Sequence, residues 1–265
     1  MPVLLHRDGQ NLFLPLLWGS TGWRDTGSLN YAREGHTASV LTNGKVLVVG
    51  GWNGSYILDS AELYDPSTET WTTTSNMNNA RYGHTASILT NGKELVAGGW
   101  NNSYVLDSAE LYDPSTGTWT TTSNMNNARY YHTASILTNG KVLVAGGWNG
   151  TYALDSAELY DSSTGTWTTT SNMNNARYGH TASVLTNGKV LVAGGWNSSY
   201  ALDSVELYDP STETWTTTSN MNNVRYGHTA SVLTNGKVLV VGGWNGSYIL
   251  DSAELYDPST ETWTT

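Results

Sequence analysis

Residues 84–100 read His84-Thr85-Ala86-Ser87-Ile88-Leu89-Thr90-Asn91-Gly92-Lys93-Glu94-Leu95-Val96-Ala97-Gly98-Gly99-Trp100. Thr85 to Leu89 suits an extended strand, because β-branched residues pack well on a pleated surface. Asn91-Gly92 predicts a tight type I′ hairpin turn, which needs positive φ at both central positions. A second strand follows and ends at the double glycine. Its counterpart in the first unit is Lys45-Val46-Leu47-Val48-Val49, read as a continuous apolar strand, so both of its faces are expected to be covered.

This stretch is one copy of a repeat. Gly-Gly-Trp recurs at Gly50-Gly51-Trp52, Gly98-Gly99-Trp100, Gly146-Gly147-Trp148, Gly194-Gly195-Trp196 and Gly242-Gly243-Trp244, a constant spacing of 48 residues. His36, His84, His132, His180 and His228 keep that spacing, as do Trp71, Trp119, Trp167, Trp215 and Trp263. A period of this size marks a solenoid, a propeller or an array. The rest of each unit predicts two more strands. Asp59 to Tyr64 is closed by the turn Asp65-Pro66-Ser67-Thr68, and Trp71 to Thr74 follows. Four short strands per unit make one propeller blade. No stretch has sustained helical periodicity.

A glycine pair ending a strand, then a loop, then Tyr-Asp-Pro, then Trp after a short turn: this pattern resembles the kelch repeat. The resemblance covers residues 36–265 in five copies. Residues 20–35 match the end of a further unit, with Trp23, Leu29, Ala32, Arg33 and Gly35 in register; residues 1–19 match poorly. The expected fold is therefore all-β, a kelch-type propeller of five four-stranded blades over 20–265, with an N-terminal outer-strand segment at 20–35. The resemblance implies a closed ring, and the segment around Trp23 is expected to latch it by packing on the last blade. It also implies that the blade-to-blade loops and the loops after Gly-Gly share a ligand face.

Composition narrows the function. The net charge of −10 argues against nonspecific binding to nucleic acid or acidic membranes, which needs a basic footprint. With no cysteine there is no disulfide or thiolate chemistry, and the copper-radical oxidase site of one kelch branch, which needs a Tyr–Cys crosslink, is ruled out. No apolar run is long enough for a membrane helix. Leu12 to Trp18 is apolar but broken by Pro15, and makes a poor signal peptide. The compartment stays open, with a soluble cytoplasmic chain favoured over a secreted one.

The candidate ligand face holds four series. Arg81, Arg129, Arg177 and Arg225, with Arg33 in the first unit, precede each first strand. By resemblance to a kelch adaptor that reads acidic peptides, they would form a basic crown. The alternative is a local pair with Asp59, Asp107, Asp155, Asp203 or Asp251, and it is preferred for most of them. Tyr82, Tyr130, Tyr178 and Tyr226 follow the arginines. Trp52, Trp100, Trp148, Trp196 and Trp244 are anchors for apolar, cationic or sugar surfaces, with loop packing as the even alternative. Asn53, Asn101, Asn149, Asn197 and Asn245 beside them donate and accept hydrogen bonds. These asparagines also fit the glycosylation acceptor pattern, which matters only in a secreted chain. The Trp71 series reads as core.

The histidines lack the tight mixed spacing of a zinc site and read as hydrogen-bonded strand residues. Glu94 stands where the other units carry Val, at a strand end expected to meet water. No nucleophile elbow, phosphate loop or zinc-protease motif is present. Near-identical blades repeat the same residues, whereas catalysis needs different roles at one point. The reading is a non-catalytic scaffold without metal or cofactor, binding a protein or peptide. A lectin-like propeller that takes glycans and a structural module of a larger array are the rivals.

Overall fold

The computed structural model describes residues 25–265. Blade 1 consists of β1 (Thr37–Val40), β2 (Val46–Val49), β3 (Ala61–Asp65) and β4 (Thr70–Thr73). The same four strands recur in blades over 85–121, 133–169, 181–217 and 229–264, and each forms an antiparallel sheet in chain order. The third strand starts two residues later than Asp59, because Asp59 and Ser60 still belong to the incoming loop.

The hairpin between β1 and β2 differs from the expected type I′ turn. Only Gly44 has positive φ (82°), and Asn43 does not. Leu41 accepts a backbone hydrogen bond from Gly44 and donates one to Lys45, while Asn43 Oδ1 accepts from Lys45 N. This is a wider loop in which a β-turn ends on a left-handed glycine. The asparagine works through its side chain, not through its own φ.

Cores form between blades. Leu185, Leu191, Ala193, Val205 and Leu207 of blade 4 meet Ala230, Val238, Val240 and Tyr256 of blade 5, with Met221 of the connecting loop between them. Equivalent clusters join the earlier neighbours. The unbroken apolar second strand is thus covered on both faces, as its pattern requires. Each Leu or Val so enclosed contributes roughly 1.5–3 kcal/mol. The Trp71 series lies on the facing side of each blade, its ring 5.1 Å from Tyr64 in blade 1. From blade 2 onward the indole N–H reaches a serine carbonyl at the end of the preceding blade, as in Trp119 Nε1 to Ser75 O at 2.9 Å.

Neighbouring blades pack through their first strands, but blades 1 and 5 do not pack on each other in this way. Among the described residues the five blades form an open arc, not the closed ring that the resemblance implies. Residues 25–35 run beside blade 1, where Thr26 Oγ1 bonds Tyr64 Oη and Asn30 bonds Glu62. They take the place that each interblade linker takes, and they do not latch blade 5. Trp23 lies outside the described residues.

Candidate binding face

The glycine pair aims the next residues. Gly98 and Gly99 have φ of 65° and 94°, and a Cβ on Gly98 would stand 2.5 Å from the Arg129 carbonyl. Only glycine fits there. The chain then turns so that Trp100 exchanges backbone hydrogen bonds with Tyr82 (2.9 and 3.0 Å) and bridges to Val105. Two of the expected series, Trp and Tyr, are therefore paired at one end of every blade from the second onward; in blade 1 Glu34 takes the tyrosine's place.

Asn101 Oδ1 accepts from the backbone N–H of Ser103 and Tyr104, closing the loop on itself. The other members of the series do the same, so their carbonyls are already engaged and only their amide groups are free to face a ligand. The loop tip then presents a tyrosine. Tyr56, Tyr104, Tyr152, Tyr200 and Tyr248 are 53–63% exposed. Sequence reasoning missed this series, although it keeps the same spacing and places a large ring in a loop with no strand to bury it.

The inner tyrosines gather toward one another. Tyr82 and Tyr130 have ring centroids 6.0 Å apart, and Tyr178 and Tyr226 5.5 Å apart. Each leans over a glycine of the blade before: the Tyr82 ring fills the place of a side chain at Gly35, Tyr130 at Gly83 and Tyr226 at Gly179. Blade 3 departs from this rule. Tyr131 stands where the others have glycine, at φ 52°, with its ring 4.0 Å from Tyr130 and its hydroxyl donating to Tyr82 Oη. Burial pushes Tyr130 up to about 12 and raises Tyr131 as well. Outward from these rings, Trp196 and Trp244 stack at 5.2 Å. A groove of about 350 Å³ lies between blades 2 and 3, lined by Trp100, Val105, Tyr130, Trp148 and Gly150. None of its walls is charged.

The arginines are elsewhere. Arg81, Arg129, Arg177 and Arg225 are 0% exposed. Arg81 donates to the carbonyls of Gly98 and Ser108, to Ser108 Oγ and to Glu110 Oε1 at 2.9 Å. Glu110 also accepts from Asn78 and Asn79 of the linker. Burial pushes the Glu110 carboxyl upward, but these amides and the guanidinium outweigh it, and the net direction is down. The arginines pair within the chain, as the preferred alternative expects, but not with the expected partners. They form no basic crown, and their carboxylate partners are Glu62, Glu110, Glu158, Glu206 and Glu254, not the aspartates at the third-strand entries.

The histidines are structural too. His84, His132, His180 and His228 each pair Nε2 with a threonine of the preceding blade at 2.9 Å. Burial drives His84 and His132 down to about 3. Among the described residues no group of three or more His, Cys, Asp or Glu is placed to hold a metal ion.

The KLHDC2/KLHL20/DRC7 Kelch-repeats domain model matches residues 17–147 and again 120–265. The chain belongs to the kelch-repeat family. No curated protein matches. A solved structure titled "Structure of YjhT" is similar at a TM-score of 0.71 and 16% identity, over 88% of this chain and 84% of that one, which shows a shared fold. Kelch propellers are commonly protein-interaction scaffolds, and the family is generally non-catalytic. No helix among the described residues is long and apolar enough to cross a membrane.

Proposed function

We propose that this kelch chain is a non-catalytic scaffold that binds a protein or peptide on the aromatic face. The observation that supports this reading is the concentration of partly exposed Trp and exposed Tyr at one end of all five blades, with an uncharged groove between blades 2 and 3. Aromatic anchors surrounded by a polar rim are the usual centre of binding energy. With the arginines enclosed, the ligand is chosen by apolar and aromatic contact. A glycan is the competing ligand, since tryptophan faces and asparagine amides also suit sugars.

A combined peptide and glycan array at low and high salt tests this. The strongest hit should be a peptide with aromatic or aliphatic side chains, and its binding should change little with salt, because no charge in the groove is there to be screened. Trp148→Ala should weaken it by roughly 30-fold, as expected for a central anchor. A glycan as the strongest hit would favour the lectin reading. A hit untouched by Trp148→Ala would place recognition elsewhere.

A further inference from the structure

Among the described residues nothing covers one face of blade 5, and the face is of a known kind. Leu233, Leu239, Val241, Ala253 and Leu255 repeat the residues by which blade 4 grips blade 5. On blade 4 these positions are buried; on blade 5 Val241 is 42% exposed and Ala253 is exposed. Ile249 is 83% exposed, where Ile57, Ala153 and Ala201 are at 4–5%. At the other end of the arc, Val46 and Tyr64 of blade 1 are only partly buried, while Val142, Val190, Val238, Tyr112, Tyr160, Tyr208 and Tyr256 are fully enclosed.

Polar groups at the two ends are matched in the same way. At each internal junction the second glycine of the pair donates to an arginine carbonyl of the next linker, as in Gly195 N to Arg225 O at 2.7 Å. At each junction a threonine pairs with the next blade's histidine. Among the described residues, Gly243 N–H and Thr229 Oγ1 on blade 5 lack these bonds, and so do the Arg33 carbonyl and His36 Nε2 beside blade 1. The linker that completes a junction is present in residues 25–35, already docked on blade 1.

We propose that the open face of blade 5 binds the blade 1 face of a second copy of this chain, head to tail. The junction would repeat the internal one, with Gly243 and Thr229 of one copy meeting Arg33 and His36 of its neighbour. The same apolar positions are covered four times within the molecule, and each time by a blade of this sequence. Among the described residues blades 1 and 5 of one copy lack the first-strand packing that joins neighbours, and a second copy offers the matching face without bending the arc. Such a contact is heterologous and gives a ring if the rotation closes, or a filament if it does not.

Sedimentation velocity over a wide concentration range tests this. The wild-type chain should assemble as concentration rises. Val241→Glu changes an exposed residue, so the fold should survive, as read from the near-ultraviolet dichroism of the tryptophans. Alone, this variant should stay monomeric. Mixed with wild-type chain it should still join and shorten the assemblies, because its blade 1 face is intact. A wild-type chain monomeric at every concentration would overturn the proposal. So would assembly that persists in Val241→Glu, or a variant that cannot join the wild type, which would mean a symmetric blade 5 to blade 5 contact. None of these outcomes depends on the ligand of the aromatic face.

Discussion

Glu94 is the residue that departs furthest from its expected setting. It is 0% exposed, pressed into the junction of blades 1 and 2 among residues that the other junctions fill with valine. Ser39 Oγ donates to its Oε1 at 2.7 Å, and Oε2 has no partner among the described residues. Burial pushes this carboxyl from 4.5 up to about 8. The sign of the consequence follows. Between those two values the folded chain holds a proton that the unfolded chain has released. The stability contribution is full below about 4.5 and is lost as the pH rises through about 8. Urea midpoints should therefore fall from about pH 6 to about pH 9, by an effect on the order of a few kcal/mol. Glu94→Val should be more stable at both and lose most of the slope; equal slopes would show that other groups carry it. Sequence could not place this carboxylate, because a single glutamate in an apolar strand reads equally as a strand end or a buried acid. The Trp, Tyr and Asn series were legible because their spacing is constant. The burial of the arginines was not, since their glutamate partners lie 29 residues away in the chain, on a strand whose alternation gave no hint of what faced it.

At the scale of elements, the linker between blades behaves as a structural member. Arg129 joins the linker before blade 3 to Gly146, Ser156 and Glu158 of that blade, while Glu158 holds Asn126 and Asn127 of the same linker. Removing the cation would leave the Glu158 carboxylate enclosed without a countercharge, held only by the Asn126 and Asn127 amides. Arg129→Ala should cost about 3–5 kcal/mol in urea unfolding, the usual loss when one partner of a buried pair is deleted. A loss under about 1 kcal/mol would mean that water or a neighbour fills the gap. The strands themselves were readable nearly to the residue, because turn residues punctuate them and every unit repeats the evidence. The hairpin turn type was not, since Asn-Gly is compatible with more than one loop and the wider loop wins through the asparagine side chain.

For the whole molecule, the open arc makes stability uneven. In repeat architectures each unit is held mainly by its neighbours. Among the described residues, blades 2, 3 and 4 have a blade on either side, and blades 1 and 5 have one each. Hydrogen exchange at dilute concentration should show Val238–Val241 exchanging faster than Val142–Ala145, although both are second strands of almost the same sequence. Equal protection would argue that blade 5 is covered in solution. The number of blades was plain from the spacing. The open arc of the described residues was not, because no single unit records how far each blade is turned relative to the last.

Tyr131 has a consequence for how a partner is oriented. Blades alike in every loop offer a ligand several rotated poses of equal energy, which helps capture and gives no alignment. Glycine at this place in every blade would leave neighbouring blades alike near the axis. One tyrosine in its place, packed on Tyr130 and bonded to Tyr82, marks one direction around the arc, so a partner bound there as proposed would meet a single distinguishable heading.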